Sequence, residues 1–317
     1  MNLLSSTTVF SFYTMLSRVL GYFRDILIAI FLGTSVYADA FFVAFRLPNT
    51  FRRLFAEGTF NAAFIPSYTS EKIKSKVQGK RFADEVLTLL TLGLFTIVLI
   101  VEIFTPYVVY LIAPGFIEDN TKFNLAVDLT RITFPFLAFV SLASFFAGIL
   151  NSENKFAAAA AAPIFLNLIL ILALVISYYF KLDFALNLSY GVSLSGFIQL
   201  VFLIFFASKY YKPSLILKNK IRQKVKFFLK KLLPSIFSSG VMQISILVGT
   251  IIASFQSGAV SYLYYADRVY QINLAIAGIA VSTVSLPLLS KLIKNKKINE
   301  ANKIQNKSLE LSLLLSL

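Results

Sequence analysis

The 317-residue sequence contains no cysteine and no histidine, and it has 15 acidic residues against 30 basic ones. The first absence excludes disulfides, thiolate metal sites and thiol nucleophiles; the second excludes imidazole ligands and imidazole acid–base chemistry. Charge as a whole is scarce, 14% of the chain, where soluble domains carry about a quarter. There is no phosphate-binding glycine loop, no Gly-x-Ser-x-Gly elbow and no paired-carboxylate cluster of the kind that holds magnesium on a diphosphate. No enzyme site emerges, and transport is the reading left. A cleavable leader is not expected either. The N-terminal apolar run carries Arg18, Arg24 and Asp25 and continues into a second apolar run with no small-residue cleavage site.

What the chain has in excess is apolar surface: 57% hydrophobic residues and a mean hydropathy of +0.76. Runs of about 20 apolar residues, enough to cross a ~30 Å hydrocarbon core, recur along its length, and backbone polar groups in lipid must be satisfied internally. The expected fold is therefore an all-α membrane protein, a polytopic bundle of about eight transmembrane helices plus the start of a ninth. The spans are read at 6–32, 38–65, 86–113, 124–150, 157–180, 184–208, 233–256 and 261–290, with the ninth beginning near 307. Because the final apolar run, Leu309 to Leu317, has no polar flank, a longer parent chain or an unusually short natural product is expected.

Lysine and arginine outside the spans fall almost entirely on one side. The connections after spans two, four, six and eight carry 21 of them, whereas the opposite connections carry Lys122 and Lys181 alone. The positive-inside rule then places the N-terminus and the even-numbered connections in the cytoplasm. Most of the net +15 is an orientation signal, not a nucleic-acid footprint. One connection has its own pattern: Ile221, Val225, Phe228, Leu229 and Leu232 recur at helical spacing among basic residues. That pattern predicts an amphipathic helix on the membrane surface, acting as a basic linker between two bundles or as a contact for anionic lipid.

Seven basic residues remain in or at the edges of spans, and all are arginine: Arg18, Arg24, Arg46, Arg52, Arg53, Arg131 and Arg268. A guanidinium stays charged and presents a planar fork suited to phosphate. Each at the bilayer centre costs about 2.5–3.5 kcal/mol on insertion scales, so a set this large predicts a water-filled, cationic cavity that attracts a polyanion such as a membrane diphosphate. Arg24, Arg52 and Arg268, from three separate spans, form its expected core. Arg18 and Arg131 can instead snorkel to an interface. The acids Asp25, Asp39, Glu57 and Asp267 are placed to pair with arginines, with Glu57 four residues after Arg53. Pro48 is expected to kink the second span. Asn167, Gln243 and Ser245 are polar residues inside spans, suited either to substrate or to interhelical hydrogen bonds.

The stretches SRVLGYFRD at 17–25, ADAFFVAFRLPNTFRRLFAEGTFNAAFIPSY at 38–68, APGF at 113–116, ITFPF at 132–136 and YYADR at 264–268 closely resemble the lipid II flippase (MurJ/MviN) family. The resemblance implies an exporter fold of the multidrug/oligosaccharidyl-lipid/polysaccharide (MOP, MATE-like) kind. In that fold two six-helix lobes surround a central cationic cavity, and two further helices form a lipid-tail groove. On that template residues 1–208 are the first lobe, 209–232 the basic cytoplasmic linker, and 233–317 the first helices of the second lobe. Arg18, Arg24, Asp25, Asp39, Arg52, Glu57 and Arg268 match charged positions regarded as functional in the family. The implied activity is alternating access in a bacterial cytoplasmic membrane. Lipid II, an undecaprenyl-diphosphate-linked disaccharide-peptide, would be flipped from the inner to the outer leaflet. Membrane lipids and the cell-wall synthesis and division machinery are the implied partners. No cofactor is expected, and an ion gradient or the membrane potential would supply the drive. A different lipid-linked oligosaccharide, a cationic drug, or a non-transporting scaffold role in cell-wall assembly are the rival expectations.

Overall fold

The computed structural model describes residues 3–56, 59–214, 222–273, 285, 289, 292–293 and 297–316. Among them every regular element is a helix. In chain order these are α1 (Leu3–Leu32), α2 (Val36–Ala56), α3 (Thr59–Lys74), α4 (Lys76–Ile103), α5 (Thr105–Ile112), a 3-10 turn (Pro114–Glu118), α6 (Asn120–Thr133), α7 (Phe136–Ser152), α8 (Phe156–Phe180), α9 (Phe184–Ala207), α10 (Gln223–Ala253), α11 (Ala259–Asn273) and α12 (Ile298–Ser316). Short polar side chains start several of them. The Ser75 hydroxyl accepts from Val77 N–H at α4, Asp119 accepts from Thr121 and Lys122 at α6, and Asp183 accepts from Leu186 at α9. Each satisfies amides that a helix N-terminus leaves open.

Four segments among the described residues are long and apolar enough to cross a membrane: 76–103, 120–152, 156–180 and 184–207. Helices α1 and α2 fall outside that group and carry the charges of interest. The expected second span, 38–65, is α2 followed by α3, and the third divides into α4 and α5 at Phe104, just before Pro106. Pro48 lies within α2, which stays helical through it.

The chain forms two compact units, Met1–Ser261 and Tyr262–Leu317. In the first, α8 packs on both α1 and α9, α7 packs on α9, and α2 packs on α6 and α7; α10 lies against α2, α3, α4 and α5. Its aromatic core gathers Phe60, Phe64, Tyr68, Phe82, Phe145 and Phe228. Ring centroids are 5.0 Å apart for Phe64–Phe145 and 5.9 Å for both Phe60–Phe228 and Phe82–Phe228, within the range where aromatic pairs attract.

This core corrects the expectation for the basic connection. Val225 and Phe228 are buried, at 0% and 1% exposure, against α3, α4 and α7, so the apolar stripe faces protein instead of the membrane surface. From Gln223 the stretch is the opening of α10 itself. Ile221 lies outside the described residues. The second unit contains most of α11 together with α12, and Ser285 and Ser308 share a hydrogen bond of 2.6 Å there.

At the opposite end of α10, Gly115 N–H donates to Ser254 Oγ at 3.0 Å. A Cβ on Gly115 would sit 2.4 Å from the Ser254 carbonyl oxygen and 2.6 Å from Phe255 Cα. Both are backbone atoms that no rotamer change can move. Gly115→Ala is therefore expected to destabilise the first unit by about 1–3 kcal/mol through overpacking. Thermal unfolding in detergent reads this; an unchanged midpoint would refute the close approach.

Candidate functional site

Three polar clusters lie inside the first unit. The first is centred on Arg24 of α1, which is 5% exposed. Its Nε and Nη2 donate to Asp25 Oδ1 at 2.9 and 2.6 Å, and its Nη1 donates to Asn167 Oδ1 of α8 at 2.8 Å. Asn167 in turn donates to the Ser17 carbonyl at 2.7 Å. The expected Arg24–Asp25 pair is thus present, and Asn167 is the hydrogen-bonding residue that orients it. The pair is nearly neutral at a distance, yet its fork is held by one carboxylate oxygen and one amide, both of which an anion could replace.

Arg18 does not join this group. It lies six residues earlier, about 240° around the helix, and its side chain is exposed. Arg131 is also exposed, 3.9 Å from Asp128, in keeping with a snorkelling side chain. On α2, Arg52 donates from Nε to Asn49 Oδ1 at 3.0 Å, whereas Arg46 is buried. Glu57 and the side chain of Arg53 lie outside the described residues.

The second cluster corrects two expectations. Asp39 was placed to hold an arginine, and Lys122 was counted as a loop charge. Instead Asp39 is fully buried, and its Oδ2 accepts from Lys122 Nζ at 2.6 Å. Oδ2 also accepts from Gly258 N–H at 2.9 Å, while Oδ1 accepts from Ser261 N–H at 2.9 Å and Ser261 Oγ at 2.5 Å. Gly258 has φ +75°, a left-handed conformation that turns its N–H toward the carboxylate at the start of α11. The carboxylate therefore occupies the positive end of α11. Lys122 also lies 4.2 Å from the centroid of the Phe116 ring. One residue of α2 thus ties together α6, the 3-10 turn through its lysine, and α11. Lys122 had a local signal: Asp119 caps α6, so a residue three positions later is already helical.

The third cluster was not anticipated. Asp84 and Glu85, side by side on α4, reach the connection between α9 and α10. Asp84 Oδ1 accepts from Tyr211 Oη at 2.6 Å and from Ser214 N–H at 3.1 Å, and Glu85 Oε1 accepts from Arg222 Nε at 2.6 Å. Burial, then Asp84 itself, pushes the Tyr211 hydroxyl well above the ordinary phenol range. Burial does the same to Tyr68, up to about 12, with Glu153 and Asp84 adding. Both phenols stay protonated at physiological pH, so Tyr211 keeps the proton that it donates to Asp84. Arg222, counted as an orientation charge, is a structural tie.

In the second unit Arg268 donates to Tyr264 Oη at 3.0 Å and to Gln271 Oε1 at 3.2 Å, with its guanidinium 4.9 Å from the Tyr264 ring centroid. Asp267 accepts from Gln271 Nε2 at 2.7 Å, so a glutamine stands between the expected partners.

Four apolar segments long enough to cross a membrane, with arginine, aspartate and lysine paired on the helices packed against them, define a multi-pass membrane protein. Solved structures share its fold. A MOP superfamily transporter from Pyrococcus furiosus aligns with a TM-score of 0.62 at 15% identity, over 98% of this chain and 69% of that one. A solved lipid II flippase MurJ in its inward closed conformation aligns with a TM-score of 0.81 at 29% identity, over 97% and 63%. The probable lipid II flippase MurJ of Rhizobium meliloti is 43% identical over 310 residues, which is 96% of this chain and 58% of the relative. The family model for lipid II flippase MurJ matches residues 28–317, and the chain belongs to that family. It spans less than two thirds of the length of this curated relative.

Proposed function

We propose that this chain takes part in moving lipid II between the leaflets of a bacterial cytoplasmic membrane by alternating access, with its N-terminus in the cytoplasm. The buried Arg24–Asp25–Asn167 cluster is the observation that carries the reading. A guanidinium within a membrane helix is costly unless it is paired or used, and here the pairing is of a kind that a diphosphate can replace. Arg52, which donates to Asn49, and Arg268, which donates to Tyr264 and Gln271, are proposed to bind lipid II head groups as well, and Arg18 to do so from the exposed face of α1. Asp25, Asp267, Glu57 and Arg53 are the charged partners in this reading. The differential contact required for any ligand-driven change of state is the exchange of Asp25 for substrate oxygen.

Asp39 supplies the second half. While it holds the start of α11 and Lys122, that end of the bundle is closed. Opening it means releasing those bonds, as an alternating-access cycle about a central site demands. An ion gradient or the membrane potential would drive the cycle, the latter worth about 2.3 kcal/mol per charge per 100 mV. Residues 1–208 and 233–317 serve as parts of two lobes in this proposal, joined through 209–232.

The test is lipid II at the outer face of cells depleted of their own flippase and complemented with the full-length gene that contains this sequence. Restored exposure is the expected result. Absence of restoration by a well-expressed, membrane-inserted product would overturn the assignment.

A further inference from the structure

The lysine-rich end of the first unit carries a groove that the transport reading does not use. It has a volume of about 360 Å³ and is lined on its apolar side by Val9, Leu150, Phe156 and Phe206, with Lys155 and Lys209 also in its lining. It sits where α7 ends at Ser152, α8 begins at Phe156 and α9 ends at Ala207. A helix that crosses a membrane ends near the passage from acyl chains to head groups, and the ends of three such helices line this groove. Both lysines are exposed, and neither has a carboxylate partner among the described residues. The adjacent acid, Glu153, is already bound to Lys72, so the polar margin of the groove is positive without compensation.

The lining therefore changes from apolar to cationic along one groove, which is the sequence of environments a phospholipid presents in reverse: acyl chain, then phosphate. We propose that this groove binds one anionic diacyl phospholipid, its phosphodiester between Lys155 and Lys209 and an acyl chain against Val9, Phe156 and Phe206. Basic pockets between helix ends are the usual recognition site for anionic head groups. The field of α8, whose first turn lines the groove and has no side-chain cap, has the same sign. The groove lies among α1, α7, α8 and α9, whereas α10 packs on α2 to α5; the site is thus separate from the ties that α10 makes. The proposal requires only that the chain is a membrane protein and does not depend on what it transports.

The experiment is native mass spectrometry of the full chain in a neutral detergent, titrated with dioleoyl phosphatidylglycerol or dioleoyl phosphatidylcholine. One molecule of phosphatidylglycerol should be retained at a concentration on the order of tenfold lower than phosphatidylcholine, as two nearby cations imply. The K155Q/K209Q double variant should abolish that preference. K76Q/K226Q, which removes the same charge from exposed positions outside the groove, should keep it. Ala157→Trp, which fills the groove, should lower retention of both lipids. No preference in the parent chain, equal loss of preference in the two lysine variants, or undiminished retention by Ala157→Trp would each overturn the proposal.

Discussion

Asp39→Ala is expected to destabilise the first unit by about 3–5 kcal/mol, the usual effect of removing one partner from a buried ion pair and leaving the other uncompensated. Lys122 is 5% exposed, and its ammonium has the Phe116 ring as its other neighbour. An aromatic face provides about 0.5–2 kcal/mol, too little to replace a carboxylate. The variant also strips the start of α11 of the acceptor for Gly258 and Ser261. Thermal unfolding of the single variant, of Lys122→Met and of Asp39→Ala/Lys122→Met forms a cycle. The double variant should be more stable than Asp39→Ala, because it buries no unpaired charge. Equal stability of Asp39→Ala and the double variant would show that the ion pair does not matter. Lipid II exposure should be lost in both, since neither retains the tie between α2 and α11.

Arg24→Ala should reduce lipid II exposure by on the order of 100-fold, corresponding to loss of one or two hydrogen bonds to a charged group at about 1.5–3 kcal/mol each. Membrane insertion should be unchanged, because removing a charge from a span lowers the cost of inserting it. Arg24→Lys should restore little. An ammonium keeps the charge but cannot reach Asp25 and Asn167 with a planar fork. Asp25→Asn discriminates further. If Asp25 competes with substrate for the guanidinium, its removal strengthens head-group binding while slowing release, so bound lipid rises as exposure falls. Normal exposure with Arg24→Ala at matched protein levels would eliminate the proposed role.

Much of this was legible in the sequence because lipid is a demanding solvent. Helical spans follow from apolar run length, and arginines inside them stand out by cost. Arg24 and Asp25 are sequence neighbours, so their pairing is also local. The remaining ties are not. Lys122 reaches Asp39 across 83 positions, and Tyr211 reaches Asp84 across 127. Charge counting by connection treats every basic residue near a helix end as a topological marker, which passes over the ties that Lys122 and Arg222 make. Asp84 and Glu85 sit in the first turns of a long apolar helix, where carboxylates are ordinarily solvated; here Tyr211, Ser214 and Arg222 engage them. The stripe at Val225, Phe228 and Leu232 shows a different limit. Helical periodicity reports that one face is apolar, not whether lipid or protein covers it.

Helix α10 is held by unlike means at its two ends. Near its start, Phe228 is packed among rings; past its finish, Ser254, Gly258 and Ser261 are engaged by directional hydrogen bonds. Ring contacts tolerate small rotations, whereas hydrogen bonds weaken steeply with angle and stretch. The helix is therefore a lever with its fulcrum among the phenylalanines. From Phe228 to its end at Ala253 the helix runs roughly 38 Å, so a tilt of about 5° at the fulcrum carries the far end roughly 3 Å. That travel exceeds the slack of the bonds from Gly258 and Ser261 to Asp39, and a motion hardly felt by the aromatic core is enough to part them.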